Sequence, residues 1–446
     1  MQQNNTNIEN IVELVDAGDT STLGELFSKA HPADIADGIE QLTPINRLFA
    51  WKQIPITAKG NVLAELSEGV LRDLAHEIEH NELINAVKQL DIDDIADLIP
   101  DLPESILSDI LHAVDANTRK SLGEVLAYPE DSAGGLMNID ATVVRDNCSI
   151  EVTLRFLRLN GSLPKQTDVI YLVDRNNKLT GILPIENLIT APVQDLSSLH
   201  AIPSPVIFDC LDIEEDVAKA FADYDLISAP VVNEQKQLVG RITVDDVVDV
   251  IRDQAESDIL ASAGLKNETD IFAPVINTSR NRALWLGVNL ITALIGSWVI
   301  GQFEGSIQQL VALAVLMPIV ASMGGNAGTQ TLTVVIRGMS TGTISSGNIR
   351  TVLVKESMVG ILNGLLWAMI IALIATAWYH SIQLGLVIAC AMIANLAIGA
   401  VAGVCIPVIL DKIHIDPALA GGVALTTVTD VVGYFSVLGL ATLILL

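Results

Sequence analysis

The chain has 446 residues and a formal net charge of −28, but its composition changes sharply along its length. From residue 273 onward it contains five acidic and six basic residues, so the negative charge belongs to the first 272 residues. That acidity repels nucleic acid and attracts cations, which argues against a nucleic-acid-binding protein. The four cysteines have no CxxC spacing and no histidines near them, so we expect neither a zinc site nor a disulfide framework.

Residues 1–130 show apolar positions at helical spacing, as in Ile35, Ile39 and Leu42. The segment ADIAD at 33–37 recurs as DDIAD at 93–97. A repeat of helical segments predicts an α-solenoid, so we assign residues 1–130 to an N-terminal helical domain. The aspartates of the repeat either cap helices or face cations.

A second repeat begins near residue 137. The sequence around Tyr171–Asp174, Leu179 and Gly181 aligns with that around Pro230–Asn233, Leu238 and Gly240. Each copy predicts a strand, a turn, a strand and a helix, with the first copy at 137–200 and the second at 201–251. The segment GRITVDD at 240–246 resembles the motif of cystathionine-β-synthase (CBS) domains.

The resemblance to CBS domains implies a nucleotide site in the second copy only. In that family the threonine and the last aspartate of the motif hold a ribose hydroxyl, which points to Thr243 and Asp246 as ligands of an adenine nucleotide. The first copy has Pro184 in place of the threonine and therefore lacks the hydroxyl.

Residues 252–272 form an acidic, amphipathic pattern that predicts a connecting helix carrying Glu256 and Asp258. Its place between the CBS pair and the apolar half makes it a lever between the two parts, or alternatively a simple linker.

Five apolar stretches reach the ~20 residues that a helix needs to cross a bilayer. They are residues 283–301, 307–336, 357–378, 384–410 and 419–446, within a transmembrane domain at 273–446. The basic residues precede the first span or lie in the loops after the second and fourth spans. Positive-inside bias then places the N-terminus in the cytosol and the C-terminus outside, in a multi-pass protein of the cell membrane.

Glycine-rich sequence in these spans has two interpretations. The stretch MGGNAGTQ at 323–330 interrupts the apolar second span. It lines water, packs closely against another helix, or does both. Gly360 and Gly364 of the third span predict close packing. We expect Asn289, Asn363 and Asn395 to form hydrogen bonds between helices.

The fifth span contains a carboxylate, Asp430, about twelve residues into its apolar run. A charged aspartate at mid-membrane costs ~2.5–3.5 kcal/mol on insertion scales, so it predicts an ion or proton path. A protonated or hydrogen-bonded structural aspartate is the alternative. The candidate pore-lining residues around it are Thr426, Thr427, Gly433 and, from the second span, Asn326.

Oxygen ligands without histidine or cysteine suit a hard cation such as Mg²⁺. One aspartate would bind Mg²⁺ weakly, so we expect two copies of the chain to share one hydrated ion. This predicts a homodimer with a pore on its symmetry axis.

The order of helical domain, CBS pair, connecting helix and five spans resembles the MgtE family of magnesium transporters over essentially the whole chain. The motifs that carry the resemblance are His31–Asp37, Tyr128–Gly134, Arg282–Leu290, Pro318 with Gly324–Gly328, and Asp416–Ala418 leading to Thr426–Asp430. The resemblance implies a homodimeric Mg²⁺ channel, not an enzyme, in which Asp430 binds hydrated Mg²⁺.

The resemblance also implies regulation by cytosolic Mg²⁺ bound to acidic residues. By position these are Asp93, Asp94, Asp97, Asp225, Asp246, Asp249, Glu256, Asp258 and Asp416. Acids from separate domains repel one another when bare, and a bridging Mg²⁺ removes that repulsion, so the ion favours the compact, closed state.

Two other functions remain compatible with the sequence. Asp430 would also suit a secondary transporter that couples a proton or Na⁺ to a divalent cation. A membrane-anchored metal or nucleotide sensor would explain the cytosolic half but not the aspartate inside a span.

Overall fold

The structure, a computed structural model, describes residues 11–90, 92–102, 104–114, 116–265, 272–273, 275–345 and 347–446. The chain divides into two compact units. The first runs to Ala255 and includes Phe272, and the second starts at Glu256 and continues from Ala273.

The first unit begins with short helices whose apolar faces share one core. Within the described residues the helices from residue 20 onward are Thr20–Phe27, Pro32–Glu40, Pro44–Trp51, Lys59–Ala64, Glu68–Glu77, His80–Val87, Ile92–Leu98, Glu104–Ala113 and Ala116–Val125, with a 3₁₀ turn at Ile99–Asp101. Lys59–Ala64 packs against both Pro32–Glu40 and His80–Val87. Packing between helices two places apart in the sequence is typical of a solenoid. The predicted helical domain is therefore confirmed.

The two repeat copies form two small sheets with the same topology. The strands are β1 Val143–Arg145, β2 Val169–Val173, β3 Leu179–Pro184, β4 Phe208–Asp209, β5 Ser228–Val232 and β6 Leu238–Thr243. In each sheet the first strand is parallel to the second, and the second is antiparallel to the third. The accompanying helices are Ile150–Asn160, Ile185–Thr190 and Glu214–Tyr224, with a 3₁₀ turn at Ser197–Leu199.

Buried polar contacts join the two sheets. The Tyr171 hydroxyl lies 3.0 Å from the Ser228 hydroxyl, which donates to Asp168 at 2.6 Å. Arg241 is 3% exposed and donates to Asp140 at 3.0 Å and to the Lys165 carbonyl at 2.8 Å. Burial raises the pKa of Tyr171 to about 12, so this hydroxyl stays protonated at neutral pH.

The segment before the first sheet pairs with the second copy. The Ala133 and Gly134 amides donate to the carbonyls of Asp212 and Cys210, at 2.8 and 2.9 Å, and Asn138 pairs with Arg241. A Cβ on Gly134 would lie 2.5 Å from the Tyr128 ring, so this approach requires glycine. The Tyr128–Gly134 motif therefore docks the helical domain onto the second CBS copy.

The connecting helix differs from the prediction of a separate element at 252–272. One helix runs continuously over Val244–Ser262, starting directly after β6. It ends before Gly264, which adopts a φ of 75° that favours glycine, and the Leu265 amide donates to the Leu260 carbonyl at 2.9 Å. Residues 266–271 lie outside the described part of the chain.

Five helices of the second unit are long and apolar enough to span a membrane, as predicted. They cover Thr278–Gly301 within the helix Val275–Gly301, and Ala312–Ser340, Ile349–Tyr379, Ile382–Lys412 and Pro417–Ile444. We call them the first to fifth membrane helices; a short helix, Glu304–Gln309, precedes the second. The fourth packs against the second, third and fifth, and the first packs against the fifth.

The glycine-rich stretch at 323–330 does not break the second membrane helix, which continues through it and through Pro318. A Cβ on Gly399 would lie 2.7 Å from the Gly324 carbonyl oxygen, and one on Gly403 would lie 2.7 Å from that of Gly328. The glycines therefore allow the second and fourth helices to touch backbone to backbone, which supports the close-packing interpretation.

The third membrane helix uses its glycines in the same way. A Cβ on Gly360 would lie 2.7 Å from the Ala400 Cβ, and one on Gly364 would lie 3.2 Å from the Ile393 Cα. The predicted packing role of these two glycines agrees with their contacts on the fourth helix.

Candidate functional site

Asp430 lies in the middle of the fifth membrane helix, which begins at Pro417. Thirteen residues separate the two, which is about 20 Å along a helix. The Asp430 side chain is half-buried, and no described residue donates a hydrogen bond to it. A carboxylate this deep, without a hydrogen-bond donor among the described residues, is available to a cation or to a second copy.

The hydroxyls near Asp430 donate to their own helix. Thr426 donates to the Gly422 carbonyl at 2.8 Å, and Thr427 donates to that of Val423 at 2.7 Å. Their remaining lone pairs can only accept hydrogen bonds. Acceptor oxygens beside a carboxylate suit a hydrated cation, whose water ligands donate hydrogen bonds outward.

The second membrane helix lies beside this part of the fifth. A Cβ on Gly325 would lie 3.6 Å from the Thr429 hydroxyl oxygen. Asn326 follows Gly325 and Asp430 follows Thr429, so Asn326 and Asp430 lie at the same height along the helices of the membrane unit. Asn326 and Thr426 are exposed, so polar groups of both helices lie on an open face of the single chain.

Gly433, predicted to line the pore with these residues, does not lie on that open face. It is buried, and a Cβ there would lie 2.9 Å from the Asn395 amide nitrogen and 3.0 Å from the Ala321 Cα. The absence of a side chain at Gly433 predicts that another backbone can come close, and the approach to Ala321 agrees with that. Gly433 allows the fifth helix to pack closely against the second and fourth helices.

Asn395 joins the helices behind Asp430. It is fully buried, and its side-chain amide donates to the Val320 carbonyl at 2.8 Å, while its Oδ1 has no hydrogen-bond partner in the described chain. The predicted interhelical hydrogen bond is therefore present for Asn395. Asn289 instead donates to Trp285 of its own helix at 3.1 Å, and Asn363 is exposed.

The predicted regulatory acids are spread over several elements. Asp94 is half-buried and Asp97 exposed on the helix Ile92–Leu98, and the side chain of Asp93 lies outside the described part. Asp225 ends the helix Glu214–Tyr224 with a φ of 51°, and Asp416 caps the fifth membrane helix by accepting from the Ala418 amide at 2.8 Å. Asp246, Asp249, Glu256 and Asp258 all lie on Val244–Ser262.

Asp249 lies near an acid of the helical domain, Glu65, and near a base of its own helix, Arg252. The pKa of Glu65 is raised, mainly because surrounding protein partly desolvates its side chain, which remains in contact with solvent. The second cause is the nearby carboxylate of Asp249. The pKa of Asp249 is raised by desolvation, against which Arg252 acts. Burial also raises the pKa of Asp37, again opposed by Arg252. Glu65 and Asp37 are absent from the predicted set, because only the fold brings them to this helix.

A second acidic group was also missed by sequence reasoning. Burial raises the pKa of Glu214 to about 7, and Glu215, Asp131, Glu130 and Asp253 add to the effect in that order. The Glu214 amide donates to the Asp131 carbonyl at 3.2 Å, so the Tyr128–Gly134 motif brings these acids together. No group of three metal-ligating side chains has the geometry of a formed metal site within the described ranges.

The residues predicted to hold a ribose are adjacent in the structure. The Thr243 hydroxyl donates to an Asp246 carboxylate oxygen at 2.9 Å and also contacts Asp245. The pair is therefore oriented before any ligand binds.

Comparison with known proteins matches three parts of the chain to family models. Residues 30–131 match the MgtE intracellular N domain, 212–253 match the CBS domain, and 317–440 match the MgtE divalent cation transporter domain. A magnesium transporter MgtE of Bacillus subtilis is 30% identical over 425 residues, covering 92% of this chain and 93% of the relative. The chain belongs to the MgtE family. Its members are transporters, so both the family prediction and the prediction that the chain is not an enzyme are confirmed.

Other members of the family extend the comparison. A magnesium transporter MgtE of Thermus thermophilus is 29% identical over 439 residues, with 97% of each chain covered. A crystal structure of the cytosolic domain of an Mg²⁺ channel MgtE in complex with ATP superposes with a TM-score of 0.50 and 30% identity, covering 55% of this chain and 99% of that one. The family is one of multi-pass membrane proteins, in agreement with the five apolar helices.

Proposed function

We propose that this chain conducts Mg²⁺ across the cell membrane through a pore that contains Asp430. The relatives that match over nearly the whole length are magnesium transporters. Asp430 carries the proposal, because it is a half-buried carboxylate at mid-membrane with acceptor hydroxyls beside it and no hydrogen-bond donor in the described part of its chain.

The pore forms between two copies of the chain. One carboxylate binds Mg²⁺ weakly, and Asp430, Thr426 and Asn326 face away from the helix contacts of the single chain. A two-fold axis through this face brings two Asp430 side chains to one hydrated ion, which a homodimer supplies. The basic loops after the second and fourth membrane helices orient the acidic half toward the cytosol.

The test is Mg²⁺ flux into vesicles containing purified protein. Asp430→Ala should abolish flux and Asp430→Asn should reduce it strongly, while both remain dimeric in detergent. Glu304→Gln is the matched control, because Glu304 is an exposed membrane-half acid that bonds only Gln308 among described residues. Undiminished flux in Asp430→Ala would refute the pore assignment.

The same vesicles distinguish a channel from a proton- or Na⁺-coupled transporter. A channel should give currents that reverse at the Mg²⁺ equilibrium potential and do not change when proton or Na⁺ gradients are imposed. A reversal potential that follows either of those gradients would assign the coupled mechanism instead.

Cytosolic Mg²⁺ closes the pore by bridging acids of separate domains. Asp249 lies near Glu65, and Glu214 lies among Glu215, Asp131 and Asp253, and in both groups desolvation and like charge disfavour ionised carboxylates. A divalent cation removes that penalty, so Mg²⁺ binding favours the compact arrangement. The other predicted ligands, including Asp94, Asp97, Asp225, Asp246, Glu256, Asp258 and Asp416, belong to the same proposal.

Gating is tested by the internal Mg²⁺ concentration that halves the flux. Asp249→Asn should raise this concentration, and deletion of residues 1–130 should raise it further. Asp223→Asn, an exposed acid on the helix Glu214–Tyr224, is the control and should leave it unchanged. Equal inhibition of all variants would exclude the Asp249 region from the gate.

The second CBS copy binds an adenine nucleotide through Thr243 and Asp246. The prearranged Thr243–Asp246 contact supports this, as does the ATP complex of the related cytosolic domain. Calorimetric titration of the full-length protein with ATP should show binding that Thr243→Val abolishes. Unchanged affinity in Thr243→Val would place any nucleotide elsewhere.

A further inference from the structure

Glu356 is a buried acid in the membrane unit that the proposed pore does not use. It is 9% exposed and lies seven residues after Ile349, the first residue of the third membrane helix, which is about 10 Å along the helix. Asp430 lies about 20 Å along the fifth helix. The two carboxylates are therefore on different helices and at different depths.

The partners of Glu356 compensate its charge only weakly. One carboxylate oxygen accepts from the Thr331 hydroxyl at 3.3 Å, and the other lies 3.3 Å from the Lys355 ammonium, whose side chain is 70% exposed. Neighbouring residues of a helix do not face each other, and an ion pair with a solvated lysine contributes little. A carboxylate can accept about four hydrogen bonds. A buried carboxylate therefore needs either a cation or more donors than these two contacts supply.

The backbone of the fourth membrane helix lies close to Thr331. A Cβ on Gly403 would lie 2.9 Å from the Thr331 Cβ, so the fourth membrane helix meets Thr331 with its backbone. Pro407 lies inside that helix and has no N–H to donate to the Gly403 carbonyl, four residues earlier. Glu356, the Thr331 hydroxyl and the Gly403 carbonyl thus come from three helices, and the carbonyl lacks its usual helical partner.

We propose that Glu356, Thr331 and the Gly403 carbonyl form a binding site for a monovalent alkali cation, with Na⁺ as the probe. One carboxylate with neutral oxygens balances a single positive charge. A divalent ion would keep a net positive charge beside Lys355, because no second carboxylate of the described residues lies at Glu356 to balance it. The site ties the second, third and fourth membrane helices together and is separate from Asp430.

The test is the thermal stability of the full-length protein in detergent as NaCl replaces choline chloride at constant ionic strength. The melting temperature of the wild type should rise with Na⁺, because a ligand that binds only the folded state stabilises it. Glu356→Gln should abolish the rise, and Thr331→Val should raise the half-maximal Na⁺ concentration several-fold. Glu304→Gln should keep the wild-type response.

Lys355→Gln separates a cation site from a structural contact. Lys355 competes with the bound cation for the carboxylate, so its removal should lower the half-maximal Na⁺ concentration several-fold, opposite to Thr331→Val. The proposal is overturned if the wild type shows no Na⁺ response, if Glu356→Gln responds equally, or if only Mg²⁺ gives a shift that depends on Glu356. A stability that follows pH but not Na⁺ would also overturn it, because a proton would then occupy the site.

Discussion

The contact between Gly399 and Gly324 gives the sharpest prediction for the membrane unit. A methyl group on Gly399 would lie 2.7 Å from the Gly324 carbonyl oxygen and 3.5 Å from Thr429 Cγ2. Carbon and oxygen atoms usually approach to about 3.3–3.6 Å, so Gly399→Ala must separate the second and fourth helices by about 0.6–0.9 Å. Overpacking of this kind costs about 1–3 kcal/mol.

The same substitution should reduce Mg²⁺ flux although Asp430 is intact. It displaces the second helix, whose Gly325 lies beside Thr429, the residue before Asp430 on the fifth helix. For a unit of this size, about 1–3 kcal/mol lowers the melting temperature by roughly 2–12 °C. Thermal unfolding in detergent and vesicle flux measure the two effects.

Gly287→Ala is the matched control for Gly399→Ala. Gly287 also lies on a membrane helix, but it is exposed and a Cβ there has no atom within 4 Å. Its melting temperature and flux should stay near wild type. If Gly399→Ala behaves like Gly287→Ala, the backbone contact between the two helices is not as close as described, and the explanation of the glycine-rich stretch fails.

Two other substitutions test the interior of each unit. Asn395→Ala should destabilise the membrane unit by about 1–3 kcal/mol, because it removes a hydrogen bond worth about 0.6 kcal/mol and leaves a cavity. Unchanged thermal unfolding would show that Asn395 does not hold the helices together. Glu214 has a folded-state pKa of about 7 against 4.5 ordinarily, so stability is lost as pH rises through that window. Glu214→Gln should therefore stabilise the Mg²⁺-free protein at pH 8 by about 1–2 kcal/mol, after allowance for solvent screening, and should have no such effect at pH 4. Thermal melts at the two pH values measure this difference. An equal effect at both pH values would contradict the assignment.

The sequence by itself determined the number of membrane helices, the repeated CBS topology and the position of the membrane carboxylate. These features depend on local composition. An apolar run of about 20 residues can hardly be accommodated elsewhere than in a bilayer, and the repeated pattern fixes register pairs such as Val173 with Leu179 and Val232 with Leu238. Asp430 is conspicuous because its neighbours in sequence are apolar.

Only the tertiary structure decided which residues meet. A glycine-rich stretch is compatible with a break or with a packed helix, and the choice depends on Gly399 and Gly403 of another helix. The burial of Gly433 depends on Asn395. The pKa of Glu214 is raised mainly by burial in the folded chain, and in part by acids more than eighty residues earlier. Packing and electrostatic energies depend on distances in space, which one-dimensional spacing specifies only within a helix or a strand.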